Sequence, residues 1–440
     1  MSDAQKKECD VFSKDYMSYL DASKTEREAV TTSINVAKFA GFKEYRFGDR
    51  LEKGGKYYFN NRGRSVIFFV IGTEPLENGV RIAASHIDSP RIDLKQHPLY
   101  EQDELAFLKT HYYGGIRKYQ WATIPLALHG VVIKADGTSV TINVGEKEDD
   151  PVFYIDDLLP HLAKDQNSKS LGEGINGEML NILVGSTPLD DQSGAVKASV
   201  LKFLEENYGI TDDDFMSAEI SLVPAFKSRY IGFDKSLIGG YGHDDRCCAY
   251  PSLRAIIEAS KPVHTLFTIL ADKEEVGSTG NTGMKCELFV DLLATVCQEF
   301  GANFYACKHN SKCLSADVNA AYDPNFASVY EKNNSCFVNH GVVLTKYTGS
   351  RGKSGTSDAS AEFVGFVRNV FDKAGVIWQT GELGKVDQGG GGTVAQYIAE
   401  KNIEVVDLGV AVLSMHAPYE VISKADLYMA YQAFKAFNAN

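Results

Sequence analysis

The feature that most constrains this chain is where its short apolar runs stop. Residues 80–85 lead into His86, residues 265–271 into Glu274 and Glu275, residues 312–315 into Asp317, and residues 404–413 toward His416. Apolar runs of this length, bounded by polar residues, read as buried strands. Stretches with helical spacing lie between them, at 247–260 and 288–300. Strands alternating with helices predict the α/β class, with a mostly parallel central sheet covered by helices. In such sheets functional groups gather outside the carboxyl ends of the strands, where these acids and histidines fall.

At 440 residues the chain exceeds one ordinary core, so two domains are expected. Residues 10–40 read as helical, with Phe12, Tyr16, Tyr19 and Leu20 on the apolar stripe. A closing helix begins at Ser423, where Asp426 suggests a capping box. Between about 93 and 230 the texture changes to two-residue alternation (130–133, 139–144), with one helical patch at 191–208. That segment reads as a β-rich insert, at 93–230, between the halves 1–92 and 231–440 of one catalytic domain. The net charge of −13 disfavours a nucleic-acid partner. No apolar run is long enough to span a bilayer, and the N-terminus lacks the apolar stretch of a signal peptide. The eight cysteines form no C-x-x-C pair, so reduced thiols in a cytoplasmic protein are expected.

The polar segments offer hard nitrogen and oxygen ligands. In His86-Ile87-Asp88, side chains two apart on a strand share a face, so Asp88 can fix the tautomer of His86 and raise its basicity as a ligand. Taken alone, a surface turn before Pro90 would explain it as well. Asp244-Asp245-Arg246 could be a helix N-terminus with its dipole satisfied. The functional reading makes Asp244 a carboxylate spanning two metals, supported by Asp245 or Arg246, with His243 a neighbour. Glu274-Glu275 at a strand end would repel one another unless a cation is present. Glu275 is then the ligand and Glu274 the general base. Asp317 and His416 complete the metal set, although His416 alone could be a satisfied core histidine.

Two weaker segments remain. Lys346, in a cluster with Arg351 and Lys353, could meet a substrate carboxylate or form a solvated basic loop. The run 389–392, with Gly391 and Thr393, lacks the Lys-Ser/Thr of a P-loop and could let backbone N–H groups approach a peptide. No G-x-S-x-G is present, which disfavours a serine hydrolase.

The segments S-H-I-D-S-P (85–90), G-H-D-D-R (242–246), E-E-V-G-S (274–278), S-A-D (315–317) and M-H-A-P-Y-E (415–420) occur in this order across nearly the whole chain. Together they resemble the M18 family of zinc aminopeptidases. The related M42 family shares the short motifs, but the long insert and the closing M-H-A-P-Y-E favour M18. Residues 318–325 lack the histidines usual in aspartyl-type members, and residues 121–126 lack their Asp-Arg. The chain therefore looks closer to the bacterial and vacuolar type I branch.

The resemblance implies a zinc-peptidase fold and two zinc ions per subunit, with manganese or cobalt as alternatives. One ion would be held by His86 with Glu275 or its neighbour, the other by Asp317 and His416, with Asp244 bridging. It also implies peptide substrates and a homo-oligomer, a dodecamer built from dimers, with the insert as the assembly domain. The ions, ~3.5–4 Å apart in such sites, would share a water that Glu274 deprotonates for attack on the N-terminal peptide bond. A dinuclear deacylase or aminoacylase would use the same groups. A shell-forming assembly protein with structural metals would have no use for the spare Glu274.

Overall fold

Four strands run parallel and adjacent in the order Leu266–Ala271, Arg81–His86, Lys312–Ala316 and Glu404–Gly409. The computed structural model, which describes residues 1–440, places them at the centre of a nine-stranded sheet. Ser65–Val70 pairs antiparallel on one flank and Val342–Thr345 on the other, so the sheet is mixed at its edges.

Side chains of the central strands alternate between two cores. From Ser65–Val70, Val66, Phe68 and Val70 enter one, packed with helices Asp3–Asp21, His243–Ile257, Ala361–Ala374 and Lys424–Asn438. Ile67 and Phe69 enter the other, with helices Leu288–Glu299 and Phe304–Asn310. Leu270 and Ile269 part in the same way. Both faces being buried, every second position is as apolar as its neighbours, which is why these strands read as continuous runs. The N-terminal stretch forms two helices, Asp3–Asp21 and Glu26–Phe39, each opened by a capping box.

The chain separates into two compact units. One comprises Met1–Ser89, Ser228–Met415 and Glu420–Asn440, and the other Pro90–Lys227 with His416–Tyr419. The second unit is built on a six-stranded sheet whose paired strands are all antiparallel. Its core is formed by Val132, Ile142, Val144, Ile210, Phe215 and Ile220. All eight cysteines are free thiols, and all but Cys286 are buried. No helix is long and apolar enough to cross a membrane.

Two local expectations change. The apolar stretch 404–413 is two strands: Glu404–Gly409 stays in the main sheet, and Ala411–Leu413 joins a separate five-stranded sheet. At Gly409 the backbone of Asp317 lies so close that a Cβ would overlap its carbonyl oxygen. The closing helix is capped by the Ser423 side chain, which accepts from the N–H groups of Ala425 and Asp426. The Asp426 carboxylate does not close a capping box. It accepts from the N–H groups of Asn339 and Gly341, both at 2.7 Å, and so pins the loop before Val342–Thr345.

Two predictions follow from these contacts. Gly409→Ala should destabilise the protein by about 1–3 kcal/mol, because the added methyl displaces the backbone under Asp317. A urea midpoint equal to wild type would refute this. Burial pushes the Asp426 carboxyl from 3.8 up to about 7. The folded state thus holds this proton more tightly than the unfolded chain. Its contribution favours folding below 3.8 and is lost as the pH rises through about 7. The stability of Asp426→Asn relative to wild type should therefore improve across that interval in urea melts, and a pH-independent difference would exclude the assignment.

Candidate active site

His86 closes the strand Arg81–His86 with its ring buried. Its Nδ1 lies 3.0 Å from the Asp88 carbonyl oxygen and 3.3 Å from Asp88 Oδ1. A donor at Nδ1 leaves the Nε2 lone pair available to a ligand. Nε2 sits 3.2 Å from Asp244 Oδ1 and 3.7 Å from Asp317 Oδ1. Burial alone would lower the basicity of this ring, but Asp244, Asp317 and Asp88 outweigh it and hold its pKa well above the ordinary value.

Asp88 was expected to orient His86 through its side chain, and the backbone carbonyl makes the shorter contact. The Asp88 carboxylate is used elsewhere as well. Oδ1 accepts from the N–H of Glu274 at 3.1 Å and Oδ2 from the N–H of Glu275 at 3.2 Å. It thereby fixes the short 3₁₀ turn Glu274–Val276, whose flanking residues Lys273 and Gly277 are both left-handed, with φ of 68° and 89°.

Asp244 lies at the kinked start of the helix His243–Ile257, outside helical φ/ψ, and its peptide bond to Asp245 is cis. Asp317 follows the strand Lys312–Ala316. Candidate ligand atoms of His86, Asp244 and Asp317 lie within 4.8 Å of one another, and so do those of His86, Glu274 and Glu275. Burial, with the negative charges of Asp317, Asp88 and Asp244, pushes the half-buried Glu274 carboxyl up to about 8 against a lesser pull from His86.

This donor set fits a divalent cation. Four carboxylates and one imidazole converge in a desolvated pocket, and hard oxygen with imidazole nitrogen suits zinc, manganese or cobalt. Without positive charge, burying and crowding these acids is costly, as the raised Glu274 shows.

The other candidates have contacts of their own. His416 belongs to the short segment His416–Tyr419 of the second unit, where its Nδ1 is 2.8 Å from the Gly115 carbonyl. Lys346 pairs with Asp358, which also receives Lys353 at 2.8 Å, so one carboxylate offsets part of the loop's positive charge. The Gly391 carbonyl accepts from the Gly349 N–H at 2.6 Å. Thr393 is buried and donates to Asp407 at 2.8 Å. His243 stacks on Tyr16, whose hydroxyl is 2.7 Å from its Nδ1, and burial lowers its pKa to about 3.

Sequence reasoning passed over Asp407 and gave Glu420 no role beyond its place in M-H-A-P-Y-E. Asp407 is a buried acid whose pKa is pushed up to about 7 by burial, with a further push from Asp317. Glu420 accepts the Asp244 N–H at 3.1 Å. Asp407 is an acid inside an apolar strand, and that was its available signal, whereas Glu420 opens the strand Glu420–Ser423.

Comparison with known proteins identifies the family. The family described as aminopeptidase I zinc metalloprotease (M18) matches residues 19–438. The probable M18 family aminopeptidase 1 of Clostridium acetobutylicum is 49% identical over 448 aligned residues, covering 100% of this chain and 96% of the relative. Its counterpart in Thermotoga maritima is 45% identical over 440, covering 98% and 96%. A crystal structure of an M18 aminopeptidase from Thermotoga maritima superposes with a TM-score of 0.95 at 44% identity, covering 98% of this chain and 97% of that one. With its sheet-end acids and histidine and this match along its length, the chain belongs to the M18 family and is a metal-dependent aminopeptidase of the type I branch.

Proposed function

We propose that the protein is a dinuclear zinc aminopeptidase that releases N-terminal residues from short peptides, with Glu274 as general base. The observation carrying this reading is the meeting of His86, Asp244 and Asp317 beside a glutamate that keeps its proton to about pH 8. His86 and Asp317 would hold one ion, Glu275 the other, and Asp244 would serve both. The meeting of His86, Asp244 and Asp317 supports this division, and the His86–Glu275 pairing first expected, whose atoms are equally near, is its alternative. His416 is retained as the remaining ligand on the strength of its motif. When bound, the ions would supply Lewis acidity toward the scissile carbonyl and lower the pKa of the attacking water.

The protein's own groups do the rest. Asp88, through two backbone N–H groups, holds the turn that carries Glu274 and Glu275. The Glu274 carboxylate takes the proton of the attacking water and returns it to the departing amine. A nearby divalent charge would draw the Glu274 pKa down from about 8, leaving it ionised at neutral pH and able to accept.

The same reading includes a homo-oligomer, a dodecamer built from dimers, assembled through the insert. Its support is the exposure of Val152, Leu158, Leu162 and Phe203 on that unit, together with a distant structural neighbour, yeast mApe1, described as a dodecamer. The buried reduced thiols suit a cytoplasmic location.

Glu274→Gln should retain metal content near that of wild type while kcat on an aminoacyl reporter falls about 10²–10⁴-fold. Turnover within a factor of two of wild type would remove Glu274 as the base. A chelator should abolish wild-type activity, and zinc should restore it.

A further inference from the structure

Resting on the metal-site reading above, we propose that Arg246, Ser89 and Glu420 are positioning residues that grip the Asp244 peptide from both sides and so set where its carboxylate meets His86 and Asp317. The Asp244 carbonyl accepts from Ser89 Oγ at 2.5 Å, and the Asp244 N–H donates to Glu420 Oε2 at 3.1 Å. Ser89 Oγ in turn accepts from Arg246 Nη1 at 2.6 Å, while Nη2 donates to the Ile87 carbonyl at 3.0 Å. The guanidinium therefore joins the turn after His86 to the turn carrying Asp244.

The chemistry of each group suits this task. Arg246 is fully buried, yet its hydrogen bonds run to a hydroxyl and to backbone carbonyls. Ion pairing with the ligand carboxylates therefore does not account for its place. A planar fork of donors can satisfy two acceptors on separate turns at fixed spacing, which a lysine ammonium cannot. Gly242, at φ 78°, makes room for it, since a Cβ there would overlap Arg246 Nη1. The glycine and arginine of G-H-D-D-R are thus parts of one device. Glu420 and Ser89 are both buried, so the clamp works without competing water.

The test uses the full chain loaded with cobalt(II), comparing wild type with Ser89→Ala, Glu420→Gln and Arg246→Lys. Cobalt affinity by chelator competition, the visible absorption spectrum, and separate kcat and KM values are the readouts. The clamp predicts about a 10–100-fold loss of cobalt affinity or kcat, an altered cobalt spectrum and little change in KM. Ser89→Ala removes one hydroxyl and serves if the arginine variant fails to fold. A purely structural role would lower the melting temperature of the metal-free protein but leave spectrum and affinity as in wild type, and that result in Ser89→Ala and Glu420→Gln overturns the proposal. Failure of wild type to take up cobalt would sink the metal reading and the clamp together. Uptake by wild type with unaffected variants would sink the clamp alone.

Discussion

Like charge held at close range, away from water, is the constraint on which the rest of this structure depends. Asp244, Asp317, Glu274 and Glu275 crowd around one imidazole, with the Asp88 carboxylate directly behind it. Each would be solvated and distant in an unfolded chain. The sheet brings Glu274, Glu275 and Asp317 to His86 because neighbouring parallel strands end side by side, about 4.8 Å apart in the hydrogen-bonding direction, and the start of the helix His243–Ile257 adds Asp244. The cost of that arrangement shows in the raised Glu274 and Asp407 carboxyls. A divalent cation removes the cost and converts it into affinity.

Around this centre the protein spends backbone donors and buried polar groups on geometry. Asp88 holds Glu274 and Glu275 by their amides, while Ser89 and Glu420 hold Asp244 by its carbonyl and amide. Fixing main-chain atoms leaves the ligand side chains with few rotamers to lose when a metal or a transition state is bound. Arg246 belongs to the same logic, since its fork spans two turns that no single secondary element connects.

The candidates proposed for substrate contact show how the surroundings settle the role of a polar residue. Lys346 read as a possible carboxylate receptor, but Asp358 lies against it. Thr393 read as a possible peptide contact, but its hydroxyl is turned to Asp407 inside the sheet. Both residues kept the chemistry read from the sequence. Their partners lie 12 and 14 residues away and could not be chosen among many nearby acids without the fold.

What the sequence determined by itself was the local and periodic part. Apolar runs buried on both faces declared the strands, the acids and histidine at their ends declared the chemistry, and five motifs in order declared the family. These are readable because strand period and ligand type are properties of neighbouring residues. Tertiary structure decided the rest: the break of 404–413 at Gly409, the turning of Asp426 away from its own helix, the grouping of His86 with Asp317, and the grip on Asp244. Gly409 is forced by the Asp317 backbone, and the grip joins residues 155 and 176 positions apart. Contacts between such distant segments follow from how the sheet and helices pack, and no local pattern encodes them.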